Sequence, residues 1–271
     1  MKIFAVKDEQ DFSRKALAYL LYYERPKQFY IELPDDADPW ETPLILSSFA
    51  KQGERTINAY WSKLWVQQRI VPMDRQNLGQ ILKDNGLKEY DEFDLLMLAD
   101  GRCAQDSYYL EPIEASDLPD SFLLRYQKKV EDVVPLNHAN LLVFFRDGSV
   151  KKYNATVLLS GKTQFRQLLK NENLFRKVNV QPGGYGICWG ENLTITDSEL
   201  YEHGKPIPLS MEDFRDFVSY RIVGTREATE ILDCSRQNID DLVRRDKLHP
   251  VKTDSKNKLF LKSEILQRNW K

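Results

Sequence analysis

Cysteine, histidine and methionine are scarce in this 271-residue chain, with 3, 3 and 4 copies. Cys103, Cys188 and Cys234 are odd in number, widely spaced and outside any pair motif, which excludes a disulfide scaffold and argues for reduced thiols in a cytosol. His138, His203 and His249 stand far apart without metal-spaced partners, so no metal set is expected. Long apolar runs are also missing. Nothing approaches the ~20 consecutive apolar residues that a bilayer crossing needs, and Met1-Lys2-Ile3-Phe4-Ala5-Val6-Lys7-Asp8 turns acidic too soon for a signal peptide. The expected location is the cytoplasm, with no membrane partner. A net charge of −2 excludes a purely electrostatic nucleic-acid coat. There is no Gly-x-Ser-x-Gly or His-x-Glu signature, and Gln181-Pro182-Gly183-Gly184-Tyr185-Gly186 lacks the Lys-Ser/Thr of a phosphate loop and precedes a strand, so it reads as a tight hairpin. No nucleophile–base pair emerges, and the chain reads as a non-enzyme without a cofactor.

What is present is most informative at the C-terminus. Thr225 suits an N-cap, and Ala228, Ile231 and Leu232 share one helical face. After a break near Asp233-Cys234, Ser235 caps a second helix. Ile239, Leu242 and Val243 face inward there, while Arg236, Gln237, Asp240 and Arg244 share the outer face. Two short helices joined by three or four residues, with a small residue at their crossing, are the helix-turn-helix pattern. Arg236 has the geometry to read guanine, and Gln237 and Asn238 to read adenine, from the first turn of the second helix. His249 to Lys252 and Lys258 to Leu261 then read as strands around the turn Asp254 to Asn257, a wing whose Lys252, Lys256 and Lys258 would meet phosphates. Ser235, Arg244 and Arg245 join the expected DNA contacts, and Ser263 is expected to cap a closing helix.

This segment resembles the winged-helix modules of phage excisionases and of mercury-resistance regulators. The resemblance is carried by Glu227-Ala228 to Leu232, Cys234-Ser235 to Ile239, Arg244-Arg245-Asp246-Lys247-Leu248 and Phe260-Leu261-Lys262-Ser263. It implies a double-stranded DNA partner. From Arg221 onward there are twelve Lys/Arg and eight Asp/Glu, a net of +4 that leaves −6 on the residues before it. Asp240 and Asp241 lie on or near the DNA-facing side, where i,i+4 pairing with Arg244 and Arg245 would neutralise them. A small helical domain with a solvated charged face used for protein contact has the same pattern.

A second block runs from about Val134 to Pro208. Leu141 to Phe145 is a strand candidate, Asp147-Gly148 a hairpin turn, and Val150 to Leu159 a returning strand. A helix from Thr163 carries Phe165, Leu168 and Leu169, and Tyr185 to Trp189 forms a late strand. This order resembles a small uncharacterised bacterial domain family, through Phe145-x-Asp147-Gly148, Phe165 to Phe175, and Ile187-Cys188-Trp189 followed by Leu193 and Leu200-Tyr201. The resemblance implies a neighbouring small toxin, and in some members a helix-turn-helix after the domain.

The first half shows a short strand, Gln28 to Leu33, closed by Pro34 and the acidic loop Asp35 to Asp38. Beyond Trp40 it reads as helical through Leu44, Ile45, Phe49, Ile57, Tyr60, Trp61, Leu64 and Trp65, broken at Gly53 and before Pro72. Tyr60, Trp61 and Trp65 form either a core stripe or a platform for base or partner contact. Asp74-Arg75-Gln76-Asn77-Leu78 to Leu87 parallels Ser235-Arg236-Gln237-Asn238-Ile239 to Leu248, which suggests either a second helix-turn-helix unit or two capped helices of similar length.

The expected architecture is α+β and multi-domain: a mostly helical N-terminal domain over 1–133, a small α+β domain over 134–208, and over 209–271 a connecting helix with the winged helix-turn-helix. The connecting helix, Ser210 to Arg221, carries Met211, Phe214, Phe217 and Val218 on one face, suited to packing on the winged helix or to pairing with its copy in a homodimer. The expected function is that of a sequence-specific transcriptional regulator or antitoxin-like autorepressor. The alternative is an adaptor that neutralises a toxin or assembles a mobile-element complex, with the winged helix as its docking surface.

Overall fold

A computed structural model describes residues 1–160, 163–190, 193–207, 211–254 and 257–270. The chain forms two compact units, Met1–Leu123 and Leu124–Lys271. The expected α+β character holds. A mostly helical N-terminal region does not, because a five-stranded antiparallel sheet dominates that unit.

The first unit contains β1 (Lys2–Asp8), β2 (Ala18–Tyr23), β3 (Gln28–Glu32), α1 (Leu44–Lys51), β4 (Thr56–Ile57), α2 (Ala59–Gln67), α3 (Leu78–Asp84), α4 (Glu92–Met97) and β5 (Tyr108–Pro112). Its strand order is β4-β3-β2-β1-β5. In register, Phe4 faces Leu20 and Leu20 faces Ile31, so one apolar row runs across three strands. The helices cover this row with Leu46, Ala50, Trp65, Val66, Phe93 and Leu96. Tyr22 stacks on the Phe93 ring at 4.2 Å, and Trp65 is only 2 % exposed, which places it in the core. All six residues of Ala18-Tyr19-Leu20-Leu21-Tyr22-Tyr23 are buried. A strand buried on both faces loses the polar–apolar alternation that marks strands in sequence, which is why β1 and β2 escape a period-based reading. Ile57, expected on a helix, instead pairs with Ile31 at the sheet edge.

The parallel between Asp74–Leu87 and Ser235–Leu248 does not extend to structure. Arg75-Gln76-Asn77 precedes α3, which buries no side chain.

Helix α5 (Asp120–Gln127) spans the division between the units. The second unit then runs through β6 (Val130–Pro135), β7 (Asn140–Phe145), β8 (Val150–Asn154), α6 (Thr163–Lys170), α7 (Glu172–Phe175), β9 (Asn179–Val180), β10 (Gly186–Trp189), β11 (Leu193–Thr196), α8 (Asp197–His203), β12 (Lys205–Pro206) and α9 (Met211–Arg221). The boundary expected near 133 falls inside β6. The returning strand ends at Asn154, and Ala155–Ser160 turns into a 3-10 helix.

Two sheets form here, β12-β8-β7-β6 and β11-β10-β9. One face of the larger sheet, with Val133, Leu141, Val143, Phe145 and Tyr153, packs against Phe165, Leu168, Phe175, Ile187, Trp189 and Leu200. Asp147-Gly148 makes the expected turn: Asp147 Oδ1 accepts the Ser149 N–H at 2.8 Å, and Oδ2 accepts the Tyr201 hydroxyl at 2.7 Å. The other face, with Val134, Leu136, Leu142, Phe144 and Val150, receives Phe217 and Tyr220 of α9. The connecting helix thus covers the central sheet, with Phe144 and Phe217 rings 5.2 Å apart. Both faces of β7 are apolar in sequence because each has its own cover.

Gly184 sits in the turn before β10 at φ +81°, where a Cβ would lie 2.3 Å from the Val130 carbonyl oxygen. Glycine permits both the left-handed backbone and the approach to β6.

The chain closes with β13 (Ile222–Gly224), α10 (Thr225–Leu232), α11 (Arg236–Arg244), β14 (Lys252–Thr253), β15 (Lys258–Leu261) and α12 (Lys262–Gln267). Strand order is β13-β15-β14. Val223, Ala228, Ile239, Leu248, Phe260 and Ile265 form a core with Ile231, Leu232, Leu242 and Val243 around it. Ala228 is fully buried, as a close helix crossing requires. Gly224, not Thr225, caps α10; Thr225 opens the helix, and its hydroxyl donates to the Lys258 carbonyl at 3.3 Å. Ser263 likewise lies inside α12, which Leu261 precedes.

Candidate nucleic-acid interface

Helix α10 ends at Asp233, whose left-handed conformation (φ 47°, ψ 53°) turns the chain sharply. Cys234 and Ser235 complete a three-residue turn, and the Ser235 side chain accepts the Asn238 N–H at 3.2 Å, fixing where α11 begins. Ile239 is fully buried, which turns Arg236, Gln237 and Asn238 outward; all three are exposed on the first turn. Beyond α11, the β14–β15 hairpin is bound to the same core through the pairing of Val223 with Phe260. Val251 adds only a backbone bond to Leu259, at 2.9 Å, so the first arm of the hairpin is shorter than its sequence suggests.

The basic residues divide by what holds them. Lys252 and Arg245 are exposed. Lys258 is not directed outward: its ammonium meets Asp240 Oδ1 at 2.5 Å, a link from the hairpin to the exposed face of α11. That bond holds the Asp240 carboxyl below its usual range. Arg244 pairs with Asp241 one turn back. Both aspartates are therefore neutralised, by partners other than those expected: Lys258 is 18 residues away, and Asp241 uses the i,i+3 spacing in place of i,i+4. Lys256 lies outside the described residues. His249, at the loop into the hairpin, donates its backbone N–H to Glu264 Oε1 at 2.9 Å and sets Nδ1 2.8 Å from the same oxygen; that hydrogen bond raises the imidazole pKa.

One pair connects this module to the central sheet. Arg221, the last residue of α9, places Nε 2.9 Å from Asp132 Oδ1 and donates from a terminal nitrogen to the Val133 carbonyl. The side chains are 9 % and 7 % exposed. Asp132 sits where the β6–β7 register shifts. Burial pushes the Asp132 carboxyl up to about 6, against the pull of Arg221, and lowers the Arg221 pKa. Sequence carries no signal for a contact between residues so far apart.

Charge also follows the division of the chain. Residues 1–123 hold 14 Lys/Arg and 22 Asp/Glu, a net of −8; residues 124–271 hold 25 and 19, a net of +6. Among the described residues, no cluster of three His, Cys, Asp or Glu side chains suits a metal ion, and no helix is long and apolar enough to cross a membrane.

Residues 130–206 match a family described as "Protein of unknown function (DUF2442)". The match begins with β6 and ends with β12, so it takes in the central sheet, the Asp-Gly turn, the Phe165 to Phe175 helices and the late strand at Trp189. No curated protein and no solved structure matches the chain.

Proposed function

We propose that the C-terminal segment is a winged helix-turn-helix that reads double-stranded DNA, and that the chain is a sequence-specific transcriptional regulator or antitoxin-like autorepressor. The observation that carries this reading is the first turn of α11. Ser235 caps it, Ile239 anchors it, and Arg236, Gln237 and Asn238 are all exposed on it. With its side chains an α-helix is roughly 10–12 Å across, a fit to a major groove ~12 Å wide. The hairpin beside it brings Lys252 as a phosphate contact.

Fluorescence anisotropy of the full chain on duplex DNA from upstream of its own gene, against a shuffled duplex and across a salt series, tests the proposal. Tight, salt-dependent binding with a strong preference for the native fragment is expected. Equal weak binding to both duplexes would favour the second reading, a docking surface for protein. The ion pairs of Asp240 and Asp241 favour that reading, since they leave α11 with less net positive charge than its arginines suggest.

A further inference from the structure

The first unit presents an anchored but uncovered aromatic side chain. Trp40 is 87 % exposed, and Leu44, at the start of α1, is 90 % exposed. Exposed tryptophans on mobile tips are unremarkable, but this one is held. Asp38 Oδ1 accepts the Trp40 N–H at 2.8 Å, while the Asp38 carbonyl accepts the Thr42 N–H at 2.9 Å and its hydroxyl at 2.7 Å. The Lys51 ammonium lies over the indole, 5.0 Å from the ring centroid. Leu44 and Lys51 are seven residues apart on α1 and so share a face of that helix, the one Trp40 approaches. A large aromatic carried on a hydrogen-bonded turn is the residue type that dominates interface energetics.

Four exposed carboxylates flank Trp40 in sequence, Asp35, Asp36, Asp38 and Glu41; Lys15 pairs with Asp36 at 2.8 Å, and Asp38 accepts the Trp40 N–H. The whole unit carries a net of −8. Nucleic acid and anionic lipid are disfavoured here by like charge. We propose that the Trp40–Leu44 surface docks a partner polypeptide whose contact segment carries lysine or arginine interleaved with aliphatic side chains. Apolar groups of the partner cover Leu44 and the indole, and its cations meet the acidic loop. This surface and α11 belong to different units of the chain, and the inference stands whether or not α11 binds DNA.

The test uses the full chain and a fluorescein-labelled peptide of lysine and leucine in helical amphipathic order, with two controls. In one, glutamate replaces every lysine; in the other, serine replaces every leucine. The wild type is expected to bind the lysine–leucine peptide, more weakly as salt rises, and neither control. Trp40→Ser with Leu44→Ser should weaken binding at least tenfold, on the scale of a lost anchor residue. Glu41→Lys should weaken it several-fold, whereas Val157→Ser, at an exposed site in the second unit, should not change it. Both altered surface residues are almost fully exposed, so the fold should survive, as far-UV circular dichroism will register. Equal affinity of wild type and the double variant, absence of binding by either, or equal binding of a control peptide would overturn the proposal. So would a Trp40-dependent fluorescence change on phosphatidylcholine vesicles without peptide binding, which would assign the surface to lipid.

Discussion

At the scale of single residues, the proposed DNA reading assigns different effects to different exposed residues. Arg236 stands on the exposed first turn of α11, so Arg236→Ala should lower discrimination at one base pair by about 1–3 kcal/mol. Lys252→Ala should instead weaken all duplexes alike and reduce the salt slope by about 1. Competition binding with single-base-pair variants of the preferred site distinguishes the two patterns. Gly184 yields a prediction that does not depend on function. Its positive φ and the 2.3 Å approach of a would-be Cβ to the Val130 carbonyl mean that Gly184→Ala must shift either the turn or β6. A loss of more than about 2 kcal/mol in chemical denaturation is expected, from backbone strain and steric overlap together.

At the scale of elements, the Asp240–Lys258 pair joins the hairpin to α11. Asp240 holds Lys258 at 2.5 Å, which restrains the hairpin but withdraws a cation from any phosphate. Asp240→Asn should release that ammonium and remove a negative charge from the α11 surface. Tighter binding to every duplex, with a salt slope steeper by about 1, is the expected result; an unchanged slope would mean that Lys258 does not reach DNA. Helix α9 illustrates how an apolar stripe leaves its destination open. Phe217 and Val218 mark one face in sequence, yet Val218 stays exposed while Phe217 and Tyr220 cover the outer face of the central sheet, where Phe217 meets Phe144. A stripe specifies that something must be covered, and the partner is chosen by which other surface lacks a cover.

At the scale of the molecule, the Asp132–Arg221 pair links the central sheet to the strand that opens the C-terminal module. Removing Arg221 alone would leave a buried carboxylate without its cation, at a cost of about 3–5 kcal/mol. Asp132→Asn with Arg221→Met should recover most of that loss, a coupling that a double-mutant cycle in urea measures. The pair also sets a pH dependence. Because burial holds the Asp132 carboxyl at about 6, above its unfolded value near 3.8, the folded chain binds the extra proton between those values. Stability contributed by this group therefore falls as pH rises from about 4 to about 6, by an amount on the order of 3 kcal/mol, and Asp132→Asn lacks that slope. The split of charge, −8 on residues 1–123 and +6 on residues 124–271, sets a second expectation: nucleic acid meets the second unit and cationic partners the first.

The sequence by itself determined the local features. Ser235 capping α11, the Asp147-Gly148 turn, Ala228 at the helix crossing and the inward row of Ile239, Leu242 and Val243 all follow from interactions within a few residues, where backbone hydrogen bonding and helical spacing decide the outcome. The matched central segment was legible for the same reason, through its turn and its aromatic positions. Only the tertiary structure decided the rest. It made β1 and β2 strands, since the runs Ile3 to Val6 and Ala18 to Tyr23 carry no period; it sent α9 to the central sheet; and it exchanged the expected partners of Asp240 and Asp241. Those outcomes depend on which distant surfaces remain to be buried and which charges come within a few ångströms once they are. Chain order does not encode such distances, because the energies that set them arise only when separated segments have packed.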